Sequence, residues 1–273
     1  MTGAVATLTV VVTGASGFVG RALVRALARS NASVVAVTRG ATAGSDVAWT
    51  RVADYRDTPC PPDATLVHLA EQANIPAANQ RGPAHVADVC AVAAALIAKG
   101  FRRVVYASSG QVYRSGVNPY LVGKREAEKL VLAAGGAVVR LANLYGPGMS
   151  TQTLIGDIMR QIPGSGPLHL HNTAPRRDFL WIDDAAEGLA AIAMGGKTGI
   201  FDLGTGVLIS AGDMARLALA AAGENTREVV SEIPAGGDDD VISLDMAPVR
   251  REFGWIPRVD AGEGLARLLK ASA

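Results

Sequence analysis

Cysteine is scarce in this chain of 273 residues: Cys60 and Cys90 are the two present, too few for a disulfide framework and without the clustered histidines of a metal centre. An excess of one charge is missing as well, since 26 basic residues face 25 acidic ones and leave a formal net charge of +1. Without a one-signed field there is no global handle for nucleic acid or a membrane surface, so a small molecule is the expected partner and no metal is expected. Long apolar runs are absent too; the longest, 89–98, has 10 residues, against about 18 for a spanning helix. The apolar residues 10–12 follow no basic segment, so we expect neither export nor a membrane span, and a reducing cytoplasmic setting. What remains is an ordinary globular composition, 49% hydrophobic and 19% charged, with 31 Gly and 13 Pro that follow no period. The length suits one large domain or two small ones.

Residues 8–13 are apolar, rich in valine, too short for a helix and stopped by Gly14, the pattern of a strand buried in a parallel sheet. Residues 18–29 are helical by period, with Val19, Leu23, Val24, Leu27 and Ala28 on one face and Arg21, Arg25 and Arg29 on another. The alternation continues with strands at 33–37 and 65–69, a helix at 84–99, a strand at 103–107, a helix at 119–134 and a strand at 137–141. This order predicts an α/β fold with a doubly wound parallel sheet, the Rossmann type. Beyond Gly148 the rhythm loosens into a helix near 151–161, a Pro/Gly turn at 163–167 and a short strand around Leu168. A strand at 179–182 follows, then a helix capped by Asp183 and running to Ala193, a strand at 199–203, a helix at 211–222 and a last helix near 261–270. The acidic run 238–240 reads as part of a solvated loop.

Gly14-Ala15-Ser16-Gly17-Phe18-Val19-Gly20 sets three glycines at spacing three and three. In a chain this rich in glycine the spacing arises by chance roughly 0.4 times, so the pattern alone is weak. Its position between the first strand and the first helix supplies the specificity. There glycine lets backbone approach a pyrophosphate, and the helix N-terminus offers unpaired N–H groups. A tight turn without a ligand is the competing reading. About twenty residues further on, NAD binders place an acid for the ribose hydroxyls and NADP binders an Arg for the 2′-phosphate. This chain has Thr38-Arg39, and no Asp or Glu between Gly20 and Asp46. We therefore expect NADP(H), with Arg39 on the phosphate and Thr38 as a hydroxyl partner, and NAD(H) as the alternative.

Tyr120 and Lys124 lie four apart at the start of a predicted helix and share a face. With 5 Tyr and 5 Lys in the chain, that spacing is expected by chance only about 0.1 times. A neighbouring ammonium favours loss of a phenol's proton, which otherwise leaves near pH 10. Ser108 and Ser109 stand where the preceding strand ends, at the carboxyl edge where such sheets bind ligands, so a hydroxyl there can hold a substrate carbonyl.

These motifs together resemble the extended short-chain dehydrogenase/reductases, of the nucleotide-sugar epimerase, dehydratase and reductase type. The resemblance runs from Val10-Val11-Val12-Thr13-Gly14 through His68-Leu69-Ala70, Tyr106-Ala107-Ser108-Ser109-Gly110-Gln111-Val112-Tyr113 and Pro119-Tyr120-Leu121-Val122-Gly123-Lys124. It continues through Arg140-Leu141-Ala142-Asn143-Leu144-Tyr145-Gly146-Pro147-Gly148 and Arg177-Asp178-Phe179-Leu180-Trp181-Ile182-Asp183-Asp184 to Phe253-Gly254-Trp255-Ile256-Pro257. It implies that Ser109 is the catalytic hydroxyl, Tyr120 the acid/base and Lys124 the residue on the nicotinamide ribose. Asp54 and Tyr55 resemble the adenine-side contacts, Leu69, Ala70 and Glu71 the loop lining the cofactor, and Gln111, Asn143 and Arg177 residues on the substrate side. A dinucleotide-binding unit over 1–148, rejoined at about 175–204, is implied, with 149–174 and 205–273 as a smaller substrate-binding region. A homodimer is implied as well; the alanine-rich helices at 84–99 and 119–134 suit pairing across a two-fold axis and equally suit packing inside one subunit. The chain departs from the family in the short step from Tyr113 to Tyr120, in Arg114 where Gly is usual, and in 167–174, which lack the usual Gly-Asp-Gly. These departures point to a more open substrate pocket, or to one fitted to an unusual substrate.

Three reactions share this scaffold. Dehydratases of the family follow the catalytic hydroxyl with an Asp-Glu pair for elimination; here Gly110 and Gln111 follow Ser109, so dehydration is not expected. A 4-epimerase retains one NAD and carries the same Ser-Tyr-Lys set. Arg39 favours exchangeable NADPH and so a ketoreductase acting on a nucleotide-activated deoxysugar, with the epimerase as alternative and a non-catalytic NADP-binding module as a third reading.

Overall fold

A computed structural model describes residues 7–42, 47–72, 74–234 and 241–272. The acidic run 238–240 lies outside the described residues. Three strands lead off: β1 (Leu8–Thr13), β2 (Ala32–Thr38) and β3 (Ala48–Arg51). They are followed by β4 (Thr65–His68), β5 (Arg103–Ser109), β6 (Ala137–Leu141) and, much later, β10 (Gly199–Leu203). These seven form one parallel sheet in the order β10-β6-β5-β4-β1-β2-β3. The order reverses between β1 and β4, which pair with Thr13 opposite His68, so a crevice opens there at the carboxyl ends. Val10, Val11 and Val12 are all fully buried, since helices cover both faces of the sheet. At about 1.5–3 kcal/mol per buried valine, β1 alone anchors the fold's centre.

One face carries α1 (Phe18–Ala28) and α6 (Ile182–Gly195), the other α3 (Pro83–Ala98) and α4 (Pro119–Ala133). In α1 the buried stripe is Ala22, Leu23, Val24, Ala26 and Leu27, while Ala28, expected inside, is exposed. On the other face Val89, Ala93 and Leu96 of α3 meet Ala127 and Val131 of α4 over Tyr106 and Val138 of the sheet. α2 (Ile75–Arg81) is a short helix capped by the Asn74 side chain, which the alternation pattern does not predict. Asp183 does not cap α6: Trp181 is the N-cap residue, and Asp183 sits in the first turn, where its carboxylate accepts from Trp181 Nε1 at 3.2 Å.

The remaining strands are short. β7 (Asn143–Tyr145), β9 (Arg176–Trp181) and β11 (Leu208–Ser210) form one small sheet, and β8 (Leu168–Leu170) pairs with β12 (Val229–Ser231). They pack with α5 (Leu154–Gln161), α7 (Ala211–Ala221), α8 (Ala247–Phe253) and α9 (Ala261–Ser272) beside the carboxyl edge of the large sheet. No single helix among the described residues is long and apolar enough to cross a membrane.

Candidate active site

The glycine-rich turn is built so that side chains cannot enter it. Gly14 has φ +71°, and a Cβ on it would meet the backbone of Leu69 and Ala70 at 3.1 Å. A Cβ at Gly20 would fall 2.1 Å from the Gly14 carbonyl oxygen, and one at Gly17 3.1 Å from the same atom. Gly17 is also the N-cap of α1 without a side-chain cap, so the first helical N–H groups, those of Phe18 and Val19, have no intrahelical partner. This cradle fits a dinucleotide pyrophosphate, whose oxygens take backbone N–H donors at closest approach. Buried Ala15 pins the turn by donating its N–H to Val37 O at 3.1 Å.

At the end of β2, Ser16 Oγ and Thr38 Oγ1 are 2.6 Å apart, and the Gly40 N–H donates to Thr38 Oγ1 at 3.0 Å. Thr38 is fully buried, so its hydroxyl shapes the loop from beneath rather than facing the crevice. Arg39 is exposed and lies 5.0 Å over the Tyr55 ring. Asp54 is engaged elsewhere: Arg56 grips it through Nε at 2.9 Å and Nη2 at 2.6 Å. That side-chain bond holds the Asp54 carboxyl down at about 2. No hydrogen bond or ion pair joins Arg39 to a carboxylate among the described residues. A cavity of about 330 Å³ connects Arg39, Asp54 and Tyr55 with Ala70, Glu71 and His85.

Tyr120 and Lys124 occupy the buried face of α4, whose first turn is capped by Asn118. Tyr120 packs with Ala78, Leu121 and Ile75, and its backbone N–H donates to Asn79 Oδ1 at 3.2 Å. Lys124 Nζ donates to Ala107 O at 2.8 Å, two residues before Ser109, which ties the helix to the end of β5. Ser109 Oγ accepts from the Gln111 N–H at 3.2 Å, which leaves its own O–H to donate. Ser108, in contrast, is buried, and its Oγ has no hydrogen-bond partner among the described residues. The short segment after Tyr113 is pinned by Arg125 of α4, which donates to the carbonyls of Val112, Arg114 and Gly116.

A feature with no motif behind it completes the site. Glu71 forms an ion pair with Lys124 at 2.5 Å, both side chains 9% exposed, and accepts a hydrogen bond from the Tyr106 hydroxyl. Burial is the largest single influence and pushes the Glu71 carboxyl up and the Lys124 ammonium down, but the charges and hydrogen bonds around them, led by each other's charge, together outweigh it, so Glu71 ends lowered and Lys124 raised. Next to them His68 is fully buried, bonded through Nδ1 to Thr13 Oγ1 at 2.7 Å, and burial lowers it to about 4.

Ser109, Gln111, Asn143 and Arg177 line one small pocket together. Asn143 and Arg177 also line a cavity of about 660 Å³ that extends past Thr151, Arg160, His171 and Asn172. Asn143 and Arg177 thus stand between the small pocket at Ser109 and a roomier chamber. Asn143 Nδ2 donates to Asp178 O at 3.2 Å, and Arg177 Nη1 to Arg176 O at 2.8 Å. The Asp178 carboxylate is taken by Thr205 and Gly206. Among the described residues no group of three or more His, Cys, Asp or Glu side chains is placed to hold a metal ion.

Residues 10–204 match the NAD dependent epimerase/dehydratase family. The chain is 28% identical over 157 residues to a dTDP-glucose 4,6-dehydratase of Streptomyces griseus, covering 55% of this chain and 48% of that protein. It is 37% identical over 152 residues to a dTDP-4-dehydrorhamnose reductase of the same organism, covering 50% of each. The match thus spans about half the length of these curated relatives. Among solved structures, MoeE5 in complex with UDP-glucuronic acid and NAD superposes with a TM-score of 0.81 at 25% identity, over 97% of this chain and 98% of that one.

Proposed function

The chain belongs to the NAD dependent epimerase/dehydratase family, and from that premise we propose that it is an NADPH-dependent reductase of a keto group on a nucleotide-activated deoxysugar. When bound, the nicotinamide supplies the hydride. Ser109 donates its O–H to the carbonyl oxygen, and Tyr120 delivers the proton to that oxygen as charge develops. Lys124, held between Ala107 and Glu71, keeps one N–H for the ribose and a positive charge beside the phenol. Asn143 and Arg177, at the junction of the pocket and the chamber, suit the diphosphate of the substrate. Its nucleoside would fill the 660 Å³ chamber.

The observation that carries the choice of reductase is Arg39, stacked on Tyr55 with Asp54 committed to Arg56. A guanidinium that makes no hydrogen bond or close ion pair to a carboxylate among the described residues suits a 2′-phosphate, and the acid nearest it, Asp54, is held by Arg56. Dehydration is disfavoured because Gly110 and Gln111 stand after Ser109 in place of an Asp-Glu pair, and a Cβ on Gly110 would lie 3.0 Å from Leu244, which would have to give way to a carboxylate side chain. Gln111, the next residue, is an amide bonded to Arg114 at 3.3 Å. The epimerase remains the second reading, favoured by the NAD held in MoeE5. Exposed alanines of α3 such as Ala84, Ala87 and Ala91 suit a homodimer seam. The test is oxidation of NADPH on addition of keto-deoxysugar nucleotides, with Tyr120→Phe as control. Loss of roughly 10²-fold or more in kcat is expected; a variant keeping more than about a tenth of the rate contradicts the role of Tyr120.

A further inference from the structure

Glu71 projects from the turn after β4, where its own N–H bonds back to Leu69 O at 3.0 Å and the neighbouring Ala70 backbone abuts Gly14. Its carboxylate thus enters the dinucleotide crevice from the far side of the switch point and meets Lys124, 53 residues along the chain, at 2.5 Å. An ammonium has three donors. Ala107 O takes one and Glu71 Oε2 a second, so one N–H is left over among the described residues. The other Glu71 oxygen is fixed by the Tyr106 hydroxyl, and the Tyr106 ring lies 4.9 Å from Lys124 Nζ.

We propose that Glu71 is a positioning residue for Lys124, a buried counter-ion that keeps the lysine charged and aims its free N–H into the crevice before any cofactor arrives. This rests on the reading of Lys124 as part of the catalytic set. The physical need follows from burial. A desolvated lysine without a counter-ion gives up its proton, and a neutral amine neither supports a phenolate nor donates strongly to a ribose hydroxyl. The groups around Lys124 come from every neighbouring element. They are Tyr120 and Glu128 on its own helix, Tyr106 on β5, His68 on β4, His85 on α3 and Glu71 on the loop. Burial holds both histidines toward the neutral form, and Glu128 is already bound to Arg140 at 2.6 Å. Glu71 is therefore the nearest fixed negative charge.

The test is a pH titration of lysine side-chain nitrogens by NMR on the protein without cofactor or substrate, with the Lys124 signal assigned from Lys124→Met. The other four lysines, Lys99, Lys129, Lys197 and Lys270, are exposed and serve as internal references. In the wild type Lys124 stays protonated through neutral pH; a Lys124 that is neutral at pH 7 overturns the proposal, whether or not any variant folds. In Glu71→Gln, which keeps the shape of the side chain but not its charge, the Lys124 midpoint falls by about one pH unit or more. An unchanged midpoint in that variant overturns the proposal as well. A merely structural Glu71 would lower stability without moving this signal. Because no carbonyl substrate is involved, failure of the reductase reading leaves this test standing.

Discussion

A Cβ placed on Gly20 would lie 2.1 Å from the carbonyl oxygen of Gly14. The first turn of α1 and the turn that leaves β1 are thus in backbone contact, and that contact shapes the cradle for a diphosphate. Gly20→Ala must push the two apart. We expect a loss of about 1–3 kcal/mol in stability, as for other overpacked sites, and a larger proportional loss of nucleotide binding, read by denaturant midpoint and by nucleotide fluorescence.

Glu128 and Arg140 form a second buried pair, at 2.6 Å, that joins α4 to β6, with Arg140 Cζ 4.6 Å from the centre of the Tyr113 ring. Removing one partner strands the other charge. Glu128→Ala should cost about 3–5 kcal/mol, measured by urea unfolding, whereas replacing both residues with apolar ones of similar volume should cost less.

Acid should weaken the fold through His68. Its folded value of about 4 lies below its ordinary 6.5, so the unfolded chain binds the additional proton between those pH values. The stability is whole above about 6.5 and is lost as pH falls toward 4, by at most about 3 kcal/mol. Urea midpoints measured from pH 7 to pH 4 should fall more steeply in the wild type than in His68→Gln; equal slopes would remove His68 as the cause.

Arg177→Ala should raise KM for a nucleotide-sugar substrate by about tenfold or more, the worth of a charge-assisted hydrogen bond, with a smaller change in kcat. A drop confined to kcat would instead place Arg177 at the reacting carbon.

How much of this was legible beforehand depends on the length and buriedness of each element. β1, α1, β6 and β10 were readable because an apolar run or a single apolar face declares them, and the Tyr120/Lys124 spacing marks one helix face without help from the fold. β7, β11 and β12, at three residues each, carry too few side chains for a period to register. α2 is hidden between Asn74 and Gly82 with Pro76 inside it. Asp183 reads as a cap because acids favour helix starts, yet the cap is Trp181, two residues earlier, and the Asp183 carboxylate turns back to its indole. Glu71 was placed on the cofactor loop from the motif beside it, but its bond to Lys124 left no mark in the sequence, because the partner is set by the β4–β5 crossover and not by spacing.

The proposed reduction requires Arg39 to select NADPH over NADH. Titration of purified protein with NADPH and NADH, followed by nucleotide fluorescence and by analysis of any nucleotide that co-purifies, tests it most directly. Exchangeable NADPH is expected to bind about tenfold or more tightly than NADH, a preference lost in Arg39→Ala. Tightly retained NAD with no preference for NADPH would contradict it and make the epimerase the better reading.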